Sequence, residues 1–451
     1  MDTNQWMEIK QRMRIRFPWV LGLLVLFSIG FLLACGNNYS SSSDGLVLVG
    51  SQGSALIETF SFNLSSGHIA GIANPPSSTA SQTCILPGLP AGMVLDPAGA
   101  YAYVILNSNT SCMGSQTGIA TFKVNSDGTL TPTPNLTLDP NPVALAMDSK
   151  GQFLFVAEGT YSSTNFQTQT FIPCPGTVAQ SGVCVYSVSN GSLTPVPGNF
   201  TFPGPLSAQA PDFVALATTP TVFPSPGING AQNSVCSDVG NSAPTNEFLY
   251  VADSANNVVY EFVVDTSSGV ITSPAQSSTN PGYFQTGAVP SGVTVEACDR
   301  FVYVSNQTSN NISAFTICNG LPTESGNCPA TPDGGLFAVD QSPFSLSGGA
   351  NGPGPLQADP FGNNLYVVDV KSNMVSPFHI SAVSGGLTAG ANVATGVQPS
   401  SLAIRGDDNW LFVTNFAVGT LSQYSITPST GALSPLPAVT TDNYPFGVAV
   451  K

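Results

Sequence analysis

The chain of 451 residues carries only 10 Lys and Arg against 25 Asp and Glu, so its formal net charge is −15. Because nucleic-acid binding needs clustered cations that neutralise phosphates, this balance excludes a nucleic-acid partner. Charged residues are only 8% of the sequence while Gly (45) and Pro (37) are abundant, which is typical of many short strands joined by turns.

The N-terminal segment has the order of features found in secretory signals. Four basic residues, Lys10 to Arg16, precede an apolar run over residues 17–34, and Cys35 follows directly. An uncleaved anchor helix is the alternative, since about 18 apolar residues can just span a bilayer. We therefore expect a signal segment over 1–35.

The end of this segment, Leu32-Leu33-Ala34-Cys35-Gly36, resembles the bacterial lipobox. The resemblance implies that Cys35 carries a lipid and becomes the mature N-terminus. Gly36, in place of Asp, resembles the signal for outer-membrane sorting. Residues 36–43 (GNNYSSSS) are interpreted as a flexible tether. We expect an exported protein, lipid-anchored to the bacterial membrane and facing the periplasm or lying in the outer membrane.

From residue 44 onward a hydrophobic phrase recurs: an apolar strand, a tight turn and a second strand ending in Asp, Asn or Glu. NPVALAMDSKGQFLFVAE (141–158) and QPSSLAIRGDDNWLFVTN (398–415) are clear copies. Alternating or continuous apolar runs of four to six residues predict buried strands. In the first copy the predicted strands are A over Val143–Met147, B over Phe153–Ala157, C over Val183–Val188, and D from near Leu193.

Seven such copies occur, and the last is unfinished. YPFGVAVK (444–451) holds a strand A without a strand B, and DGLVLVGS (44–51) supplies the missing strand. We predict an all-β fold, a seven-bladed β-propeller over 44–451, closed by pairing strand 445–450 with the N-terminal strands 45–72. An open solenoid is the alternative, but it needs atypical capping repeats. The A strands are predicted to begin near Pro90, Pro142, Pro211, Pro290, Pro355, Pro399 and Pro445.

Five of the strand B endings share one signature. They are FVAE (155–158), YVAD (250–253), YVSN (303–306), YVVD (366–369) and FVTN (412–415). They resemble the lactonase-type seven-bladed propellers, that is, the bacterial 6-phosphogluconolactonases and the related YVTN-repeat proteins, over nearly all of 44–451. The resemblance implies the propeller fold and suggests lactone hydrolysis, but one fold hosts many functions.

Apart from Cys35 the chain has eight cysteines, an even number, as expected for disulfides in an exported protein. Sequence alone permits 105 pairings, and the loops that a propeller places on one face narrow them. Free buried thiols are one alternative. Zinc is another, but there is no Cys-x-x-Cys and there are only two His. We predict no metal and no cofactor, and the disulfides Cys84–Cys112, Cys174–Cys184, Cys236–Cys298 and Cys318–Cys328.

The residues that end the B strands should form a ring on the face that carries the BC turns and DA loops. The polar ones are Glu158, Asp253, Asn306, Asp369 and Asn415, and the remaining two blades have Gly50 and Leu106. One interpretation is an acid-lined mouth that binds a cation or polyol, with acid/base work from the three acids and ligand binding by the two asparagines. The other is that these side chains cap the BC turns. Their recurrence favours capping.

Other catalytic signatures are absent from the sequence, including Gly-x-Ser-x-Gly, His-Glu-x-x-His, the P-loop and the EF-hand loop. His68 and His379 are expected to be structural or solvated. Arg300 and Arg405, the only arginines after the signal segment, are expected at the surface of AB turns. The sequence therefore does not predict the basic pocket that binding of a phosphorylated lactone would need.

Three functions stay open. The first is a lipid-anchored binding or scaffold protein of the cell envelope, with an unknown small-molecule or protein ligand. The second is a lactonase-like carboxylic ester hydrolase acting on an unphosphorylated lactone or sugar derivative. The third is an outer-membrane assembly scaffold that binds protein segments at sheet edges or loops. Whether the protein is an enzyme at all is left open, and we expect a monomer attached to the membrane through its N-terminal lipid.

Overall fold

The structure, a computed structural model, describes residues 44–71, 86–108, 116–133, 136–139, 141–158, 182–197, 212–219, 247–274, 277, 280–319, 328 and 333–451. Gly45–Lys451 form one compact unit. Its strands form seven antiparallel sheets arranged as the blades of a propeller. The predicted all-β, seven-bladed fold is confirmed. In the described residues no helix is long and apolar enough to cross a membrane.

Within each blade the strands are named A to D from the channel outward, and the blades are numbered from the N-terminus. Blade 1 contains β1 Asp44–Ser51, β2 Leu56–Asn63 and β3 Ile69–Gly71. Blade 2 contains β4 Leu89–Leu95, β5 Tyr101–Asn107, β6 Gly118–Val124, β7 Leu130–Pro132 and β8 Thr137–Leu138. Blade 3 contains β9 Pro142–Met147, β10 Phe153–Glu158, β11 Val183–Ser189 and β12 Ser192–Pro195. Blade 4 contains β13 Phe213–Thr218, β14 Glu247–Asp253, β15 Val258–Val264, β16 Ile271–Thr272 and β17 Tyr283–Gln285.

The remaining blades follow the same plan. Blade 5 contains β18 Pro290–Val295, β19 Phe301–Asn306, β20 Asn311–Ile317, β21 Leu336–Ala338 and β22 Phe344–Ser345. Blade 6 contains β23 Pro353–Ala358, β24 Asn364–Asp369, β25 Met374–Ile380, β26 Leu387–Ala389 and β27 Val393–Ala394. Blade 7 contains β28 Pro399–Ile404, β29 Trp410–Asn415, β30 Thr420–Thr427 and β31 Ala432–Thr440, with a short 3-10 helix at Phe416–Val418. The final strand, β32 Pro445–Val450, returns to blade 1.

The ring closes through strands from opposite ends of the chain. β32 pairs antiparallel with β1, with Val47 opposite Val450 and Ser51 opposite Pro445. The predicted closure is therefore confirmed, with β32 as the innermost strand of blade 1. Two A strands begin at other residues than predicted: blade 6 starts at Pro353, not Pro355, and blade 4 at Phe213, two residues beyond Pro211.

Neighbouring blades are locked by one device that explains the recurrent sequence phrase. The glycine that closes a CD turn has positive φ and lies against the first side chains of strand B in the preceding blade. A β-carbon at Gly269 would collide with Phe153, and one at Gly385 with Phe301. The same contact between Gly67 and Trp410 joins blade 1 to blade 7. These positions need glycine both for the left-handed backbone and for the close approach.

The strand B tyrosines complete this device. In blades 4, 5 and 6 the buried hydroxyl donates to the carbonyl oxygen of the CD-turn glycine in the next blade, so the phenol is satisfied while its ring fills the space between sheets. The donor–acceptor pairs are Tyr250 to Gly334 at 2.7 Å, Tyr303 to Gly385 at 3.0 Å, and Tyr366 to Gly431 at 3.1 Å. The tyrosine of the YV signature thus makes a contact between blades. The signature stabilises the fold and does not indicate a catalytic function.

Candidate functional site

The residues that end the B strands lie at one level of the ring, but they do not line its opening. Glu158 is 2% exposed and Asp253, Asn306, Asp369 and Asn415 are 0% exposed. These five side chains are therefore buried rather than exposed at a mouth. Within the described part of the chain, the hydrogen bonds of the three acids go to other groups and join none of the three to another.

The register in blade 1 also corrects the predicted ring. Pro445, the first residue of strand A, faces Ser51, whereas Pro290 and Pro399 face Asn306 and Asn415. Ser51, and not Gly50, therefore holds the equivalent position.

Asp253 caps a turn, as the second sequence interpretation predicts. Its Oδ1 accepts from the backbone N–H of Asp212 at 2.9 Å and of Ala255 at 3.0 Å. Its Oδ2 accepts from the Asn256 side chain at 2.7 Å. Burial raises the pKa of Asp253, and these hydrogen bonds oppose the rise. The carboxylate fixes both the BC turn and the incoming DA loop.

The two asparagines bond mainly to strand C and the DA loop. Asn306 Nδ2 donates to Ser313 Oγ at 3.0 Å, and Asn415 Nδ2 donates to Ser422 Oγ at 2.9 Å. Asn415 Oδ1 also accepts from the N–H of Gly396 at 2.9 Å. Blade 2 has the apolar Leu106 at this position, fully buried. An apolar member of the set shows that the position serves packing within each blade.

Asp369 has a single hydrogen bond of this kind, from Ser376 Oγ at 2.6 Å. Its other oxygen, Oδ1, accepts no hydrogen bond from the described residues. Burial raises the pKa of Asp369 to about 7, and the serine bond opposes the rise. Asp369 is therefore a buried group that changes charge near neutral pH, without access to a ligand at the mouth.

Glu158 belongs to a buried pair of carboxyl groups. It is hydrogen-bonded to the side chain of Asp139, whose Oδ2 accepts from Tyr186 Oη at 2.5 Å. Burial, followed by the Asp139 carboxyl, raises the pKa of Glu158 to about 10. The Glu158 carboxyl therefore keeps its proton at neutral pH.

A third potential ligand stands beside this pair. One ligand atom from each of Asp139, Glu158 and Cys184 lies within 4.8 Å of the others. Cys184 is disulfide-bonded, however, so its sulfur is not the thiolate that a metal would require. With the disulfide intact, only the two carboxyl groups are available to a metal ion, and Glu158 is protonated at neutral pH.

The innermost strands surround the channel, since the A strands contact one another in order around the whole ring. Near the start of each A strand, one residue follows the residue that pairs with the strand B position described above. These seven residues carry no titratable side chain, and the two serines among them donate to carbonyl oxygens of the next blade. They are Ala91, Val143, Val214, Ser291, Gly354, Ser400 and Phe446.

Large apolar side chains are exposed at this same opening. Tyr444 is 51% exposed and Phe446 is 37% exposed, on either side of the proline that starts β32. Phe416 lies against both, with ring centroids 5.1 Å and 6.1 Å away. We name Phe416, Tyr444 and Phe446 the mouth cluster. Four aliphatic side chains are exposed on the same face: Val143, Val289, Val397 and Val418.

The backbone at the mouth is strained. Tyr444 (φ 58°) and Val289 (φ 56°) adopt the left-handed conformation directly before a proline. That conformation is unfavourable for a bulky or β-branched residue, and the preceding-proline position normally prefers extended backbone. Such strain costs about 1–3 kcal/mol per residue and gathers at functional sites. In the sequence, the only signal for this cluster is the aromatic residue on either side of Pro445.

The two arginines and two histidines lie away from this opening. Arg300 and Arg405 do occupy AB turns, on the opposite face, but they are 5% and 3% exposed. The expectation of surface residues was wrong, because Arg300 is buried against Glu296 and Arg405 pairs with Asp407. His68 and His379 are exposed on outer strands and turns.

The structure contains the predicted disulfide Cys318–Cys328, with Cα atoms 5.4 Å apart. Cys184 and Cys298 are each disulfide-bonded as well. Their predicted partners Cys174 and Cys236 lie outside the described residues, as do Cys84, Cys112 and the lipidation candidate Cys35. Those pairings and the lipid anchor stay predictions, and so does the tether at 36–43.

Fold and site together define a seven-bladed propeller with an aromatic channel mouth and buried carboxyl groups. The family model described as "Lactonase, 7-bladed beta-propeller" matches residues 241–333 and 338–450. Over these residues, which are fewer than half of the chain, the sequence matches the lactonase-type seven-bladed propellers that its strand B signature suggested. No curated protein sequence matches it.

Solved structures support the same fold. A protein from Bacteroides fragilis assigned as a 6-phosphogluconolactonase is 16% identical, with a TM-score of 0.62, and the alignment covers 92% of this chain and 100% of that one. A periplasmic gluconolactonase from Pseudomonas aeruginosa is 17% identical, with a TM-score of 0.62, and the alignment covers 90% of this chain and 99% of that one. At these identities the likeness establishes the fold alone.

Proposed function

We propose that the protein binds an uncharged, sugar-derived ligand at the mouth cluster and acts as a binding propeller of the cell envelope. The observation that carries the proposal is the aromatic group Phe416, Tyr444 and Phe446 at the channel, in which Tyr444 and Phe446 are exposed. Exposed apolar groups at a concave opening mark interaction sites. Aromatic faces pack against the C–H faces of sugar rings, and the uncharged rim matches a ligand without phosphate.

Export to the envelope is part of this proposal. A basic, apolar and lipobox-like N-terminal sequence supports it. The Cys318–Cys328 disulfide and the disulfide-bonded states of Cys184 and Cys298 support it independently, because such bonds persist in oxidising compartments. Lipid attachment at Cys35 would hold the propeller at the membrane, with residues 36–43 as the tether.

The binding proposal is tested by calorimetric titration of the purified protein with neutral oligosaccharides and unphosphorylated aldonolactones. Tyr444→Asn and Phe446→Ser remove aromatic faces from exposed positions, and Asn tolerates the left-handed backbone of residue 444. Each should weaken binding about tenfold, the loss of a contact of about 1.4 kcal/mol. Val383→Ser is the matched control, since Val383 is 81% exposed in a CD turn on the other face. Equal affinities in all four proteins would contradict the site.

Lactone hydrolysis is the second candidate, and the family match is the observation that favours it. It is tested by following acid release from the same lactones in a pH-stat against a protein-free blank. Turnover above the blank that Tyr444→Asn abolishes and Val383→Ser preserves would place the reaction at the mouth. Turnover lost only in Asp253→Asn or Asp369→Asn, with folding intact, would instead return the reaction to the buried carboxyl groups.

A further inference from the structure

The AB turns, on the face opposite the mouth cluster, place a side chain of one blade over the turn of the preceding blade. The first residue of each turn donates its N–H to the carbonyl of the first or second residue of strand B. We call it the head residue. The fourth residue of the next blade's turn lies above it: a β-carbon at Gly362 would collide with the carboxylate of the head residue Glu296. The head residue Lys451 likewise reaches Gly99, with Nζ 2.9 Å from its carbonyl oxygen.

Blade 7 departs from this pattern at Asp408. The fourth turn residue is glycine with positive φ in three blades: Gly99, Gly151 and Gly362. Asp408 takes the same left-handed conformation, at φ 56°, although any residue with a side chain is strained there. The repeat directs its carboxylate towards the head residue of blade 6, which is Asp359. One residue thus combines backbone strain with a like-charge contact.

Neither penalty is relieved by the described neighbours. Asp408 is 1% exposed, and neither of its carboxylate oxygens accepts a hydrogen bond. Asp359 is 0% exposed, and its oxygens accept from the turn N–H groups and from Asn364 Nδ2 at 2.7 Å. Asn364 Oδ1 is a further buried oxygen without a partner. Arg405 in the same turn is paired with Asp407 instead.

The Asp408 carboxylate meets Asp359 without a hydrogen-bond donor of its own among the described residues. This differs from the Asp139–Glu158 pair, where a hydrogen bond between the carboxyl groups accommodates a proton. Between Asp359 and Asp408 the interaction is electrostatic repulsion without such a bond. A hard cation binds carboxylate oxygens and would neutralise a buried pair of this kind.

We propose that Asp359 and Asp408 bind a calcium ion between blades 6 and 7. The ion neutralises both carboxylates and ties the two AB turns together. Affinity should be in the range of extracellular calcium modules, about 10⁻⁴–10⁻³ M, because the protein offers few ligands. Consistent with this, burial and then Asp359 raise the pKa of Asp408 to about 8, so an unpaired carboxylate is disfavoured there.

Terbium luminescence on the full chain tests the site directly. Terbium is a hard-cation probe, and Tyr366 is the aromatic donor whose pKa the two carboxylates help to raise. The variant Asp408→Gly restores the residue that other blades use, so it is expected to fold. The matched control is Asp299→Gly, the same change at the same turn position in blade 5 (φ 56°), where the preceding head residue is Thr219 and not an acid.

For wild type and Asp299→Gly, calcium should displace terbium, and about 10 mM calcium should raise the melting temperature by about 2–3 °C over chelator-treated protein. In Asp408→Gly the luminescence should fall at least tenfold and the calcium shift should vanish. Asp408→Asn, which keeps the side-chain volume, should behave as Asp408→Gly does. The proposal is overturned if Asp408→Gly keeps the terbium signal and the calcium shift, or if wild type shows neither at pH 8.

Discussion

Two adjacent interfaces on the same face of the ring hold buried acids in opposite ways. Between blades 5 and 6, Glu296 pairs with Arg300, at 3.0 Å between Nε and Oε1, and Arg300 Nη1 donates to the carbonyl of Ala382 in blade 6 at 2.9 Å. Between blades 6 and 7, Asp359 faces Asp408, and no ion pair of the described residues involves either.

The difference shows how a chain with few cations distributes its charge. At the first interface the fourth turn residue of blade 6 is Gly362, so Arg300 of blade 5 can lie over the acid of its own turn. At the second, Asn363 holds in blade 6 the position that Arg300 holds in blade 5, and Asp408 replaces the glycine in blade 7. At the first interface an arginine of the chain neutralises the buried acid. At the second, the two buried acids need a proton or a cation from the solvent.

Breaking the complete interface should have the largest effect. Arg300→Met keeps the length of the side chain but leaves the carboxylate of Glu296, 0% exposed, without its cation. We expect a loss of about 3–5 kcal/mol in the free energy of unfolding, the usual result of removing one partner of a buried pair. Urea denaturation followed by tryptophan fluorescence measures it.

The double variant Arg300→Met with Glu296→Gln serves as its control. It should recover part of the loss, because no unpaired charge is then buried. A loss below about 1 kcal/mol in the single variant would mean that the pair is solvated, and that the two interfaces do not differ as described.

The glycines of the CD turns offer a smaller test of the same two interfaces. A β-carbon at Gly385 meets the buried ring of Phe301, while one at Gly431 meets the end of the Asn364 side chain. Gly385→Ala should cost about 2–3 kcal/mol and Gly431→Ala about 1–2 kcal/mol, because an amide end can move and a packed ring cannot.

Gly349→Ala is the reference for backbone conformation alone, since Gly349 has φ 83° and no atom within 4 Å of an added β-carbon. Thermal and urea unfolding of the three variants rank them. Should Gly431→Ala prove the costlier change, the interface between blades 6 and 7 is more tightly packed than its unpaired acids suggest.

Most of the fold was predictable because the apolar pattern within each repeat predicts its strands. The closure of β32 on β1 follows from half a phrase at each end of the chain, and the strand bounds of blade 3 were right to within about two residues. The errors are of one or two residues, as at Gly50 and Ser51, or at Pro353 and Pro355.

The site was less predictable, for a physical reason. The sequence shows that Glu158, Asp253 and Asp369 share a repeat position, but it does not show that their side chains are buried. Exposure decides whether an acid can contact a ligand. The aromatic mouth required knowing that Phe416 of blade 7 lies beside Tyr444 of blade 1. Asp408 carries no such signal in the sequence, because Asp359 comes from the neighbouring blade.

The smallest expected effect is a pH dependence of the unfolding free energy. It distinguishes the interface between blades 6 and 7, with its unpaired acids, from the interface between blades 5 and 6. Burial, followed by the carboxylate of Asp359, raises the pKa of Asp408 to about 8, against about 3.9 in an unfolded chain. The folded state therefore holds the proton more tightly than the unfolded state does. The stability that this proton contributes is fully present below about pH 4 and is lost as the pH rises through about 8, by at most about 1.4 kcal/mol per pH unit.

Asp408→Asn does not titrate, so without divalent cations its unfolding free energy should fall less steeply between pH 5 and pH 8. At pH 8 the variant should be more stable than wild type by about 1 kcal/mol, and added calcium should close that gap by stabilising wild type alone. Glu158 and Asp369, whose pKa values are also raised, keep a slope in both proteins, so the difference between the two curves is the measure. Parallel curves would show that Asp408 is already compensated, and the two interfaces would then be electrostatically alike.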